Sequence, residues 1–286
     1  MTGAETPDTG SFGARFRAAV DARGPFCVGI DPHAALLHDW GLSDDVAGLE
    51  RFALSVVDAV APLCSVVKPQ SAFYERFGSR GVAVLEHVIE ASRAAGALVL
   101  LDVKRGDIGS TSQAYADAYL DPASPLAADA ITVSPYLGFG SLSPFVDAAR
   151  RHDAGLFVLA LTSNKEGPEV QHASVEQGRS VGERMLEHLR GLNGDAAPLG
   201  SFGAVVGATI DNVIGERRVS FAFNGPILAP GFGAQGGTAA DIRRIFGAAA
   251  GNVTASSSRE VLRAGPDATA MREAVRRAND ALVGLG

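Results

Sequence analysis

LVLLDVKRGDIGST, residues 98–111, begins as core and ends as charge. Leu98, Val99, Leu100 and Leu101 read as a buried strand, and Asp102, Lys104, Arg105 and Asp107 then arrive within six positions. Side chains two apart share one face of a strand, so Leu98, Leu100, Asp102 and Lys104 are expected to point the same way. Inside a barrel the lower two would fill the interior. The upper two are costly there unless they pair with each other and with Lys68, at the end of an earlier apolar run. Two lysines and two aspartates sum to zero, so a coupled network is physically sound. A salt-bridge cluster that merely closes the barrel mouth is the plain alternative; the position argues for a preorganised electrostatic site.

Seven more short apolar runs accompany this one: FCVGID (26–31), CSVVKP (64–69), AITVSPY (130–136), GLFVLALTS (155–163), GAVVGAT (203–209), ILAPGF (227–232) and NVTASSS (252–258). Amphipathic stretches such as GVAVLEHVIEASRAAG separate them, with apolar residues at three- and four-residue steps. Eight β-rich runs alternating with helices imply a parallel sheet buried on both faces, and eight is the number that closes a (β/α)8 TIM barrel. An open doubly wound sheet is the competing α/β arrangement. No Pro/Ser-rich linker divides the chain, so a single barrel domain over 11–286 is expected, after a flexible N-terminal tail at 1–10. The stretch FGARFRAAVDARG is expected to cap the closed end as a helix. Residues 164–202 should hold a polar loop and then a helix from about Val175 to Leu192, whereas 210–226, with its charged GERR, has no clear helical period.

The 32 acidic residues outnumber the 25 basic ones, giving a net charge of −7, which disfavours a nucleic-acid groove but leaves room for one phosphorylated ligand. No run approaches the roughly 20 apolar residues of a membrane helix. The start, MTGAETPDTGSFG, lacks a signal pattern. Cys27 and Cys64 each sit in an apolar run and read as buried structural thiols of a reducing cytoplasm.

In a barrel, catalytic groups sit where strands end. Here the runs end in Asp31, Lys68 and Gln70, Asp102 and Lys104, Ser134, Thr162 and Ser163, Thr209, and Ser256–Ser258. A second motif is APGFGAQGG (229–237), followed by SSSRE (256–260). Gly231, Gly233 and Gly236 formally match G-x-G-x-x-G, but a dinucleotide fingerprint follows the first strand, and this one follows the seventh. Barrels commonly bind phosphate in the loops after strands seven and eight, and Arg259 supplies the cation such a site uses. Gly178-Arg179-Ser180-Val181-Gly182 matches G-x-S-x-G, yet no strand precedes it, so a nucleophile elbow is not expected. The six histidines form no metal-ligand spacing, His33 needs no role beyond the surface, and nothing demands a metal.

Asp102-x-Lys104-x-x-Asp107, with Lys68 at the previous strand end, resembles orotidine 5′-phosphate decarboxylases. GIDPH, VKPQSAFYERFG, DVKRGDIGST, LTSN, APGFGAQGG and SSSRE fall in that family's order over the whole chain, and the DVKRGDIGST block is similar to its longer, mycobacterial-type branch. The resemblance implies cofactor-free conversion of orotidine 5′-phosphate to uridine 5′-phosphate (UMP), the last step of de novo pyrimidine synthesis. It implies a charge network of Lys68, Asp102, Lys104 and Asp107, with Asp102 against the substrate carboxylate and Lys104 protonating C6. Asp31 and Thr111 would bind ribose hydroxyls, and Ile108 would line a pocket for the leaving CO₂. The resemblance further implies a homodimer in which Asp107, Ile108 and Thr111 enter the neighbouring site. Ser163 would contact the pyrimidine amide edge, with Thr162 as the alternative, and Gln235 would bridge base and phosphate. Arg259, backbone amides near Gly233 and the start of the last helix would hold the phosphate, with 164–173 and 232–238 as lids.

The residues themselves are consistent with this. A carbanion at C6 has no electron sink, so a fixed cation must stabilise it. Three other readings compete. A Schiff-base aldolase would use Lys104 or Lys68 as nucleophile, but flanking carboxylates keep a lysine protonated. A Mg²⁺-dependent sugar-phosphate decarboxylase or synthase carries an acidic metal ligand where Lys68 stands. A non-catalytic nucleotide-binding module would have no use for four charges.

Overall fold

The computed structural model describes residues 10–214, 217–233 and 236–285. Eight strands close into a parallel barrel in the order β1-β10-β9-β6-β5-β4-β3-β2. They are β1 (Phe26–Ile30), β2 (Val66–Pro69), β3 (Leu98–Arg105), β4 (Ala130–Val133), β5 (Gly155–Leu161), β6 (Phe202–Val206), β9 (Ile227–Pro230) and β10 (Val253–Ser257). Each corresponds to one apolar run of the sequence. Barrel strands are covered on both faces, which is why their signal is a continuous run rather than an alternation. Val28, Val67, Val99 and Ile131 face the surrounding helices, and Cys27, Val66, Leu100, Phe157, Val205 and Leu228 fill the inside. The two cysteines are buried and unpaired.

The expected capping helix is present as α1 (Phe12–Arg23), with Ser11 as its N-cap. Phe12, Phe16 and Val20 plug the lower barrel, and the Phe12 ring meets Phe157 edge-on at 6.1 Å. Gly155 makes this possible, because a Cβ there would overlap the Phe12 ring. Asp129, just before β4, ties the plug down. Its carboxylate accepts from Arg15 (2.7 Å), Arg93 (3.2 Å) and the Val99 N–H (2.9 Å). Burial opposes that charge, yet Arg93, the Val99 bond and Arg15 together hold the Asp129 carboxyl below its ordinary range.

One expectation needs correction. The helix placed from about Val175 begins later, at Val181, and runs to Asn193. Ser180 and Glu183 form a reciprocal capping box that fixes the start, and upstream the chain makes the short helical turn Pro168–Gln171, a single 3-10 turn at Glu176–Gly178 and a bridge between Ser174 and Ser180. The serine of the G-x-S-x-G match is therefore a helix cap. Residues 210–226 contain an antiparallel pair, β7 (Val213–Ile214) with β8 (Arg217–Arg218), and no helix among the described residues links β6 to β9. No described helix is long and apolar enough to cross a membrane. Of the tail expected at 1–10, residues 1–9 lie outside the described residues.

Candidate active site

β3 is regular up to Leu101, paired with Ile131, and regular again at Arg105, paired with Val133. Four residues of β3 thus span the length of two in β4, which makes a bulge of Asp102, Val103 and Lys104. Lys104 takes the left-handed backbone conformation, φ 45°, a region unfavourable for residues with a Cβ. The simple alternation expected from the sequence does not operate here. The bulge, rather than the pleat, brings Asp102 and Lys104 to one place.

Asp102 is buried and lies at the centre of the cluster. Its Oδ1 accepts from Lys104 Nζ (2.7 Å) and from the Thr132 hydroxyl (2.7 Å), and its Oδ2 from Lys68 Nζ (3.3 Å). Lys68 Nζ lies 3.9 Å from Asp31 Oδ1. The result is a row Asp31–Lys68–Asp102–Lys104, alternating in sign and summing to zero. Burial works against the Asp102 charge, but Lys68, Lys104 and Thr132 hold its carboxyl down at about 2. Burial likewise opposes the Lys68 charge, and Asp31 and Asp102 more than reverse that, raising its pKa. Lys104, with 46% of its side chain exposed, is the most open member of the row, and Asp31 is 17% exposed at the other end.

Two adjoining cavities share Lys68 and Pro230. One, of about 630 Å³, has Lys68, Asp102, Lys104, Thr162 and Ser163 on its walls, with Leu159, Val205 and Leu228 as the apolar part. The other, of about 540 Å³, is bounded by Asp31, His33, Gly231, Ser256–Ser258 and Arg259. Asp31 Oδ1 is buried there without a hydrogen-bond partner. A buried acceptor of this kind is costly unless a donor arrives. Among the described residues Arg259 has no carboxylate within ion-pair distance. The first turn after Ser258 leaves N–H groups without intrahelical acceptors.

Six of the expected residues therefore border these cavities: Asp31, Lys68, Asp102, Lys104, Ser163 and Arg259. Thr162 has committed its hydroxyl proton to Asn164 (2.6 Å) and accepts from Gln171 (2.7 Å). Gly233 has φ +67°, and the Glu260 carboxylate fills the space a Cβ would take. The Gly233 N–H already bonds Gly237 O (2.9 Å). Asp107, Ile108 and Thr111 line neither cavity. Asp107 Oδ1 accepts from the Ile108 N–H (2.8 Å), and Ile108 is 62% exposed. Gln235 lies outside the described residues. One residue escaped the sequence reading: Thr132, which touches both Asp102 and Lys104; His33, given no role beyond the surface, lines a cavity with its ring 4.2 Å from Phe73. Thr132 carried no signal, because Ile131-Thr132-Val133 reads as an ordinary strand.

Fold and site together define a barrel protein with a lysine–aspartate charge row beside an arginine-lined pocket. The model of the orotidine 5′-phosphate decarboxylase / HUMPS family matches residues 24–274. An orotidine 5′-phosphate decarboxylase of Nocardioides sp. is 72% identical over 274 residues, covering 95% of this chain and 98% of that one. The Streptomyces coelicolor enzyme of the same name is 63% identical, covering 93% and 95%. A crystallised Streptomyces avermitilis protein, provisionally assigned that activity, superimposes with a TM-score of 0.91 at 60% identity, covering 95% of this chain and 94% of its own. The chain belongs to the orotidine 5′-phosphate decarboxylase family.

Proposed function

We infer that this protein decarboxylates orotidine 5′-phosphate to uridine 5′-phosphate without a cofactor, the last step of de novo UMP synthesis. The observation that carries the reading is the charge row, whose most exposed member is the Lys104 ammonium, in a cavity with Leu159, Val205 and Leu228 as its apolar part. The substrate carboxylate would lie against Asp102, whose fixed negative charge repels it more before the C6–carboxylate bond breaks than after the charge has moved to C6. The bond's electron pair stays on C6, CO₂ leaves, and Lys104 delivers its proton to C6 and is reprotonated from water. Lys68 keeps Asp102 ionised and oriented. Asp31 Oδ1, buried without a hydrogen bond, suits a ribose hydroxyl, the uncommitted Ser163 hydroxyl the pyrimidine edge, and Arg259 with the N–H groups after Ser258 the phosphate. Gln235, five residues beyond β9 in sequence, is assigned to base and phosphate on family resemblance.

We also propose a two-fold homodimer in which Asp107, Ile108 and Thr111 enter the neighbouring site. Their absence from their own chain's cavities supports this, as does the exposure of Ile108, Tyr136 and Leu137 (62%, 77% and 55%). The cytoplasm is the compartment that fits two buried, unpaired thiols. The aldolase reading is opposed by the raised pKa of Lys68, since a nucleophilic amine must be neutral. A Mg²⁺-dependent reading is opposed by the donor set: both cavity carboxylates, Asp31 and Asp102, already face lysines. The deciding assay follows the loss of orotidylate absorbance after exhaustive chelation. Undiminished turnover is expected, and loss restored by Mg²⁺ would refute the mechanism.

A further inference from the structure

We propose that Thr132 is a positioning residue for this reaction: one buried hydroxyl fixes the Lys104 backbone and the Asp102 carboxylate relative to each other. The inference rests on the roles given above to Lys104 and Asp102.

A threonine hydroxyl has one proton to give and lone pairs to receive. The Lys104 N–H can only donate, and it reaches Thr132 Oγ1 at 2.9 Å. An ionised carboxylate can only accept, and Asp102 Oδ1 lies 2.7 Å from the same oxygen. The proton direction is therefore forced, leaving no alternative arrangement of the three groups. Both bonds lie within the bulge, where the ladder between β3 and β4 is interrupted. The Lys104 N–H finds its acceptor in the Thr132 side chain, which helps hold the left-handed conformation. That conformation turns the Lys104 side chain back, so that its Nζ meets the same Asp102 oxygen at 2.7 Å. Main chain, ammonium and carboxylate thus form a closed loop through one side chain.

The sheet alone does not call for a hydroxyl at this position. Thr132 is 1% exposed and stands between Ile131 and Val133. Valine has the same shape and equal strand propensity, and an unbonded hydroxyl there would carry a desolvation cost. Arg105 anchors the far side of the bulge, to Glu75 (2.6 Å), Tyr119 and its own Val103 carbonyl, but it borders neither cavity. Among the described residues Thr132 alone bonds both Asp102 and Lys104.

Replacing Thr132→Val removes the hydroxyl and keeps the shape. Hydrogen bonds to charged groups of this kind correspond to about 10- to 100-fold in rate, so kcat should fall by that factor. KM for orotidylate and the dissociation constant of UMP should stay within about twofold, because neither hydroxyl bond reaches the phosphate or ribose pocket. Exchange of the C6 hydrogen of bound UMP with D₂O runs the protonation step in reverse, and it should slow in parallel. Thr132→Ser should recover most of kcat and of the exchange rate. If Thr132→Val does not fold, the comparison passes to Thr132→Ala and Thr132→Ser, with the alanine variant slow and the serine variant fast. A valine variant with unchanged kcat, a serine variant as slow as the alanine one, or a loss expressed in KM alone would overturn the proposal. Lys104→Ala, assayed alongside, separates the two levels. If it retains turnover, the assigned roles themselves fail; if it is inactive while Thr132→Val is unimpaired, only the role of Thr132 fails.

Discussion

The charge row makes a definite prediction about acid stability. Asp102 is held at about 2 against an ordinary value of 3.8, with its side chain only 8% exposed, so solvent screening is slight. A depression of nearly two units is worth about 2 kcal/mol, at 1.36 kcal/mol per unit. The folded state binds its proton less readily than the unfolded state. The contribution is therefore complete above the unfolded value, near pH 4, and disappears as pH falls through the folded value, near 2. Asp102→Asn keeps the shape and removes the charge. Urea denaturation should place this variant about 2 kcal/mol below the parent at pH 7 and pH 5, with the gap roughly halved by pH 3. Two results would refute the reasoning. A gap that does not change with pH would mean the carboxylate is not what titrates. A variant more stable than its parent would mean that the cost of burying the Asp102 charge exceeds what its pairing returns, an outcome known for buried ion pairs.

Three further predictions concern turnover and binding. Lys104→Ala should lose more than the roughly 10⁴-fold expected for removing a proton donor, because the same ammonium stabilises the carbanion; steady-state kinetics with UMP titration should show catalysis lost and product binding kept. Arg259→Ala should weaken UMP about 10- to 150-fold and leave uridine unaffected by calorimetry, since this guanidinium has no described carboxylate partner to leave stranded. Mixing inactive Lys104→Ala and Asp107→Ala dimers under subunit exchange should return about a quarter of parental activity if Asp107 serves the neighbouring site. Confirmed exchange with no recovery would place Asp107 in its own chain's site.

How much of this was legible in the sequence depended on which force set each feature. The eight strands were, because burial on both faces writes a continuous apolar run such as Leu98–Leu101 or Leu156–Leu161. The plug helix was, through Phe12, Phe16 and Val20. The start of the helix at Val181 was misplaced because apolar spacing extends back to Val175, whereas a local capping box at Ser180 and Glu183 decides where the helix begins. Lys68, Asp102 and Lys104 were visible as charges at strand ends. The bulge that joins the last two was not, since a left-handed lysine leaves no compositional trace. Thr132 was hidden for the opposite reason: threonine in a strand needs no explanation until its hydroxyl partners are seen. The sequence left Ser163 and Thr162 open, because the bonds of Thr162 to Asn164 and Gln171 are invisible in it.

The charge row also guards the register of the barrel. Its four members come from three adjacent strands, with Gly29 opposite Lys68 between β1 and β2, and Val66 opposite Leu98 between β2 and β3. Sliding β2 by one residue would turn Lys68 toward the helices and put a neighbouring side chain in its place, leaving Asp102 without one of its two lysines. Apolar strands rich in valine tolerate such slips, because one valine replaces another at little cost. A buried carboxylate separated from its lysine does not, the loss being about 3–5 kcal/mol. The groups that serve the substrate thereby penalise misaligned barrels, so a chain that folds with its strands out of step loses stability as well as activity.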